Sequence, residues 1–143
     1  MTDRIARCAC GALALACRGE PLRVSLCHCT DCQRRTGSAF GVAAFFERAA
    51  VTVQSGAAKS FSRDSISGKP VHFHFCPDCG STVYWEPERQ PALIGVAVGS
   101  FADPGFAAPA QSVFTDCKHV WLDLPAGMPA FAALPPASGR QSS

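Results

Sequence analysis

Three cysteines fall within the six residues Cys27-His28-Cys29-Thr30-Asp31-Cys32, and this run constrains the chain more than any other feature. In an extended segment alternate side chains leave on the same side, so Cys27 and Cys29 converge while His28 points away. A turn into a helix then brings in Cys32. Thr30 is a good N-cap, Asp31 suits the positive end of a helix dipole, and Gln33 follows Thr30 at capping-box spacing. The expected product is a short helix ending near Thr36-Gly37, with a claw of three thiols at its start. Zinc prefers four tetrahedral ligands, and a site to which the protein gives three keeps a position for water or substrate.

The remaining cysteines decide whether that position stays open. The chain has nine in 143 residues, an odd number that leaves at least one outside any complete intrachain pairing. The segment before Cys8 has no apolar core or cleavage pattern of a signal peptide, so a cytoplasmic protein is expected. In a reducing compartment such a density of thiols argues for metal or catalysis over disulfides. Cys8-Ala9-Cys10-Gly11 and Cys76-Pro77-Asp78-Cys79-Gly80 are compact two-thiol units, the second stiffened by Pro77, and each is followed by a glycine that permits a tight turn. Together they would make a closed four-sulfur site of structural zinc, Cys8, Cys10, Cys76 and Cys79, leaving Cys27, Cys29 and Cys32 as the open one. The other partition, in which Cys117 completes the claw as the structural site, stays open. Cys17 has no nearby partner and reads as an ordinary buried cysteine.

Around these thiols the chain is a succession of short apolar runs. Ala12 to Ala16 and Leu22 to Leu26, joined across Gly19 and Pro21, read as a hairpin, as do Val51 to Val53 and Ser60-Phe61 around Gly56. Phe40 to Phe46 reads as a buried strand, and Ser81 to Trp85, Leu93 to Val98, Gln111 to Phe114 and His119 to Trp121 as further strands. Gly99 to Gly105 is a loop, Pro125 to Pro129 an ordered turn with Phe131 as an anchor, and from Ala132 a frayed tail is expected. Val71-His72-Phe73-His74-Phe75 alternates, with both histidines on one face. Those histidines are either ligands or bases, or the solvent side of a half-buried strand. The fold class is therefore all-β with one short helix, in a single zinc-binding domain over residues 1–131 and a disordered tail over 132–143.

Formal net charge is +2 with 17% charged residues, which gives no pull toward nucleic acid or an anionic membrane surface. No run reaches the roughly 18 apolar residues of a membrane helix. Arg34 and Arg35 read either as bidentate partners of a substrate carboxylate or as solvated charge.

The seven clustered cysteines carry a resemblance. Cys8-x-Cys10-Gly11, Cys27-His28-Cys29-x2-Cys32-Gln33-Arg34, Phe75-Cys76-x2-Cys79-Gly80 and Gly99-x3-Asp103-Pro104 resemble the signature of the glutathione-dependent formaldehyde-activating enzyme family, which includes centromere protein V. His74 stands where many of those proteins carry Arg, and the Gln111-Ser112 segment where they carry His. The resemblance implies a zinc-clamped β fold like that of methionine sulfoxide reductase B, with structural zinc on Cys8, Cys10, Cys76 and Cys79 and catalytic zinc on Cys27, Cys29 and Cys32. That makes two zinc ions per chain. It further implies a carbon-sulfur lyase that joins formaldehyde to glutathione as S-hydroxymethylglutathione, with Arg34 or Arg35 on the glutathione carboxylates. Two other classes are expected alternatives: a non-catalytic zinc module that binds a partner, and a thiol redox protein whose claw cycles as a disulfide.

Overall fold

The structure is a computed structural model and describes residues 3–135. Along the chain follow β1 (Asp3–Arg7), β2 (Ala14–Arg18), β3 (Arg23–Cys27), the helix α1 (Thr30–Thr36), β4 (Gly41–Glu47), β5 (Val51–Ser55), β6 (Lys59–Asp64), β7 (Pro70–Phe75), β8 (Thr82–Pro87), β9 (Leu93–Ala97) and β10 (Gln111–Val113). The mainly-β expectation with one helix holds. A small antiparallel sheet is ordered β1-β2-β5, and a larger one runs β10-β3-β4-β9-β8-β7-β6, antiparallel except where β10 lies beside β3. Among the described residues no helix is long and apolar enough to cross a membrane.

The two sheets are joined by one buried cluster. Ala6, Leu15 and Cys17 from the small sheet meet Val24, Ala44, Phe46, Val83, Ile94 and Val96 from the large one. Full burial of side chains such as Leu15 and Phe46 stabilises the fold by about 1.5–3 kcal/mol each. Cys17 is one of these packing residues, as its isolation in the sequence indicates.

The opposite face of the large sheet carries a second cluster of Ala43, Phe45, Val71, Phe73 and Trp85. Arginines cover its rings: Arg23 lies 4.9 Å from the Phe45 centroid, Arg35 4.4 Å from that of Trp85, and Arg63 5.1 Å from that of Phe73. Stacked guanidinia gain from the negative ring face and shed apolar surface at the same time. Gly95 makes room for the Trp85 indole, since a Cβ there would stand 2.3 Å from Nε1.

Three local expectations are corrected. The paired runs around Gly19 and Gly56 are not hairpins, because β2 pairs with β1 and β5 while β3 pairs with β4 and β10, and β6 pairs with β7. At both places the chain crosses from one sheet to the other, and turn residues do not distinguish a crossing from a hairpin. Gly56 has φ +84° and its hydrogen faces Ala12, whose carbonyl oxygen would be 2.3 Å from a Cβ. The segment His119 to Trp121 is a turn closed by Leu122 N–H on the His119 carbonyl at 3.1 Å, with Val120 and Trp121 exposed. The N-cap of α1 is Cys29, one residue before Thr30.

The end of the described chain is tied to β10. Phe131 N–H donates to the Ser112 carbonyl at 2.9 Å, and Phe131 packs on the cluster of Cys27, Cys32 and Val113. Ala133 and Ala132 carbonyls accept from Phe114 and Asp116 at 3.0 and 3.4 Å. Residues 136–143 of the expected tail lie outside the described residues.

Candidate metal centres

Cys8 and Cys10 follow β1, and Cys76 and Cys79 occupy the turn between β7 and β8, so two sheets contribute to one cluster. All four sulfurs lie within 4.8 Å of one another. The Cys8 to Cys10 and Cys10 to Cys76 sulfur separations are both 3.7 Å. Four sulfurs at about 2.3 Å from a tetrahedral zinc stand about 3.8 Å apart, so the residues present fit that ion.

Backbone and hydroxyl groups hold the sulfurs. Leu13 N–H donates to Cys8 Sγ at 3.2 Å, and Ser81 Oγ lies 3.4 Å from Cys79 Sγ while accepting the Ala9 N–H at 3.1 Å. Ser81 thus bridges the N-terminal loop and the knuckle, and its hydroxyl and amide, with a further backbone contact at Cys10, hold the Cys79 thiol down to about 5. Burial pushes the Cys8 thiol up, but the Leu13 N–H and the neighbouring sulfurs outweigh it and leave the thiol below its ordinary value. Such contacts orient ligands and favour the thiolate a metal needs.

The claw is built at the junction of β3 and α1. Cys27 ends the strand, Cys29 caps the helix, and Cys32 sits in its first turn; their sulfurs also lie within 4.8 Å of one another. Cys27 and Cys32 are buried and Cys29 is half-exposed, so the cluster meets its surroundings through Cys29. Cys32 is held down to about 3 by the Cys27 and Cys29 sulfurs, against burial, and by the Arg35 guanidinium beside it. The same contacts push Cys27 up.

The polar frame around the claw differs from a capping box. Gln33 does not return to Thr30: its Nε2 donates to the His28 carbonyl at 2.8 Å and the Cys117 carbonyl at 3.1 Å. Its Oε1 accepts from His119 Nε2 at 3.0 Å, which leaves His119 Nδ1 to accept the Trp121 N–H at 3.2 Å. Gln33 therefore ties the turn of 115–121 to the helix. His28 is fully buried, with Nε2 2.6 Å from Ser112 Oγ. Cys117 lies outside both metal-capable groups.

Arg34 is exposed and Arg35 half-buried. Both line a cavity of about 530 Å³ together with Asp31, Phe61, Arg63, Phe73, Phe75, Gly80 and Thr82. A smaller hollow, lined by Cys29, Asp31, Arg63, Ser65, Ile66 and Phe114, touches the claw at Cys29 and shares Asp31 and Arg63 with the larger cavity. Arg63 had no signal in the sequence, since only the β6 to β7 register brings it beside α1. His72 pairs with Glu88 at 2.6 Å and Ser62 at 2.5 Å, and His74 pairs with Glu86 at 2.7 Å and stacks on Tyr84 at 4.5 Å. Among the described residues both metal-capable groups consist of cysteine alone, so these histidines belong to the polar side of their strand.

The chain is mainly β and gathers one four-thiol and one three-thiol cluster, each of which could hold a metal ion. Residues 3–117 match the family model described as glutathione-dependent formaldehyde-activating enzyme, and the chain belongs to that family. No curated protein matches the chain. In fold it is similar to a solved Rhodobacter sphaeroides protein, at 23% identity and a TM-score of 0.56, over 72% of this chain and 90% of that one.

Proposed function

We propose that the chain is a zinc-dependent carbon-sulfur lyase-type enzyme acting on a glutathione or other thiol adduct of formaldehyde or a related small electrophile. The observation that carries the reading is the three-sulfur cluster of Cys27, Cys29 and Cys32, reached through the half-exposed Cys29 and flanked by a cavity with three arginines. Cys8, Cys10, Cys76 and Cys79 hold a structural zinc in this reading, and a second zinc belongs to the claw.

Cys27, Cys29 and Cys32 would hold the zinc, which would favour ionisation of a substrate thiol and, with three thiolate donors, would be a weak Lewis acid for a carbonyl. The chain's own groups do the rest. Arg35 offsets the accumulated negative charge at Cys32. Gln33 donates to the carbonyls of His28 and Cys117 and so braces the claw backbone against the turn of 115–121. Arg34 and Arg35 face the cavity where substrate carboxylates would lie. The substrate sulfur adds to the aldehyde carbon, the carbonyl oxygen becomes a hydroxyl carrying the thiol's proton, and no atom is lost. The reverse step releases thiol and aldehyde. Thiols kept ready for this chemistry fit a reducing cytoplasm.

The test is two-dimensional exchange NMR on formaldehyde and glutathione with the zinc-loaded chain. Faster exchange between free formaldehyde and the adduct, abolished in Cys29→Ser, is the expected result. Exchange no faster than in buffer sinks the reading.

A further inference from the structure

We propose that the cavity beside the claw is a binding site for a small organic anion with an aromatic or similarly bulky apolar body, whose acid group takes Arg63 from Asp31. The inference narrows the proposed function to its second thiol class, an adduct of a thiol other than glutathione whose acid has an apolar body, and it rests on that function only for what happens at Cys29.

The lining has two chemistries. Three guanidinia, of Arg34, Arg35 and Arg63, face one carboxylate, Asp31, so the cavity favours a net anion. Phe61, Phe73 and Phe75 supply the other part of the wall. Glutathione and its formaldehyde adduct carry two carboxylates and an ammonium but no apolar group to meet three phenyl rings. At about 530 Å³ the space suits a ligand of ordinary cofactor or metabolite size. Phe61 is 62% exposed on the edge strand β6, a ring whose apolar surface the fold itself leaves uncovered.

Arg63 is the anchor. Its side chain is 19% exposed and lies over the Phe73 ring at 5.1 Å, so little conformational freedom remains to be lost on binding. Its partner Asp31 is 52% exposed and stands 3.5 Å away, longer than the roughly 2.7–2.9 Å of a tight charge-assisted bond. An incoming carboxylate can form that tight bond and displace Asp31 into water. Because Asp31 and Arg63 also wall the hollow at Cys29, a ligand held by Arg63 ends next to the claw.

The experiment titrates the zinc-loaded full chain with 3-phenylpropionate, propionate and glutathione, following backbone amide shifts. The phenyl acid should bind about tenfold or more tighter than propionate, corresponding to about 1.4 kcal/mol. Arg63→Gln should weaken it at least as much, Asp31→Asn should strengthen it several-fold, and Phe61→Ser should weaken the phenyl acid while leaving propionate unchanged. Equal affinity for the two acids, or glutathione displacing the phenyl acid at lower concentration, overturns the inference. So do Asp31→Asn and Arg63→Gln shifting affinity in the same direction. Phe61 is at the surface, so its variant keeps the test decisive if Arg63→Gln fails to fold. The probe has no thiol, so its binding is decided independently of whether the exchange activity exists.

Discussion

The sulfur of Cys29 accepts the backbone N–H of Cys32 at 3.3 Å, so one claw thiol is also the N-cap of α1. The helix start and the metal-capable cluster are therefore the same piece of structure. Serine can take over a cap and cannot take over a soft zinc ligand. Cys29→Ser should accordingly keep the melting temperature of the metal-free protein close to that of the parent, whereas Cys29→Ala should cost about 1 kcal/mol in addition to the metal. Thermal melts in chelator, beside metal content, separate the two losses.

The four-sulfur cluster joins segments more than sixty residues apart in sequence, from different sheets. A structural zinc there, as proposed, would stabilise the fold by roughly 10 kcal/mol or more of apparent binding energy. Cys76→Ser should therefore lower melting temperature and soluble yield far more than Cys29→Ser. Similar damage from the two substitutions would contradict the division of roles.

The grouping of the cysteines was legible because metal-capable thiols are written in short spacings. The three thiol groups, the buried β4 and the alternating β7 all read directly from the chain. Strand partners did not. The runs on either side of Gly19 and Gly56 alternate as hairpins do, yet each pair splits between sheets, because alternation reports which face is buried and not which neighbour covers it. The same limit hid Arg63, which reaches α1 through long-range register, and Ser81, whose bridge to Ala9 spans two distant turns. The cap moved from Thr30 to Cys29 because a claw sulfur occupies the position that a hydroxyl would otherwise fill.

Ser81 gives a pH-dependent prediction. Its contacts lower Cys79 to about 5, so this thiolate stays available to metal well below the ordinary thiol range. A depressed acid contributes metal affinity and stability that are present at neutral pH and are lost as pH falls through the native value. Ser81→Ala removes the hydroxyl, raises the Cys79 thiol, and should move the midpoint of acid-induced zinc release to higher pH. A chelating dye in a stepwise acid titration measures the midpoint.

Gly95→Ala tests the arginine-capped face. The new methyl would meet the Trp85 indole, which is buried, and tilt the ring on which Arg35 stacks. Overpacking of this kind costs about 1–3 kcal/mol. Urea denaturation followed by tryptophan fluorescence should show that loss, with a shifted native emission from Trp85.

If the proposed function holds, the two cysteine clusters carry two zinc ions with separable roles. Native mass spectrometry of freshly purified, reduced protein tests it most directly. Two zinc ions are expected on the parent chain and one on a folded Cys29→Ser variant. One zinc on both proteins would contradict it, leaving a structural zinc domain whose claw carries no metal.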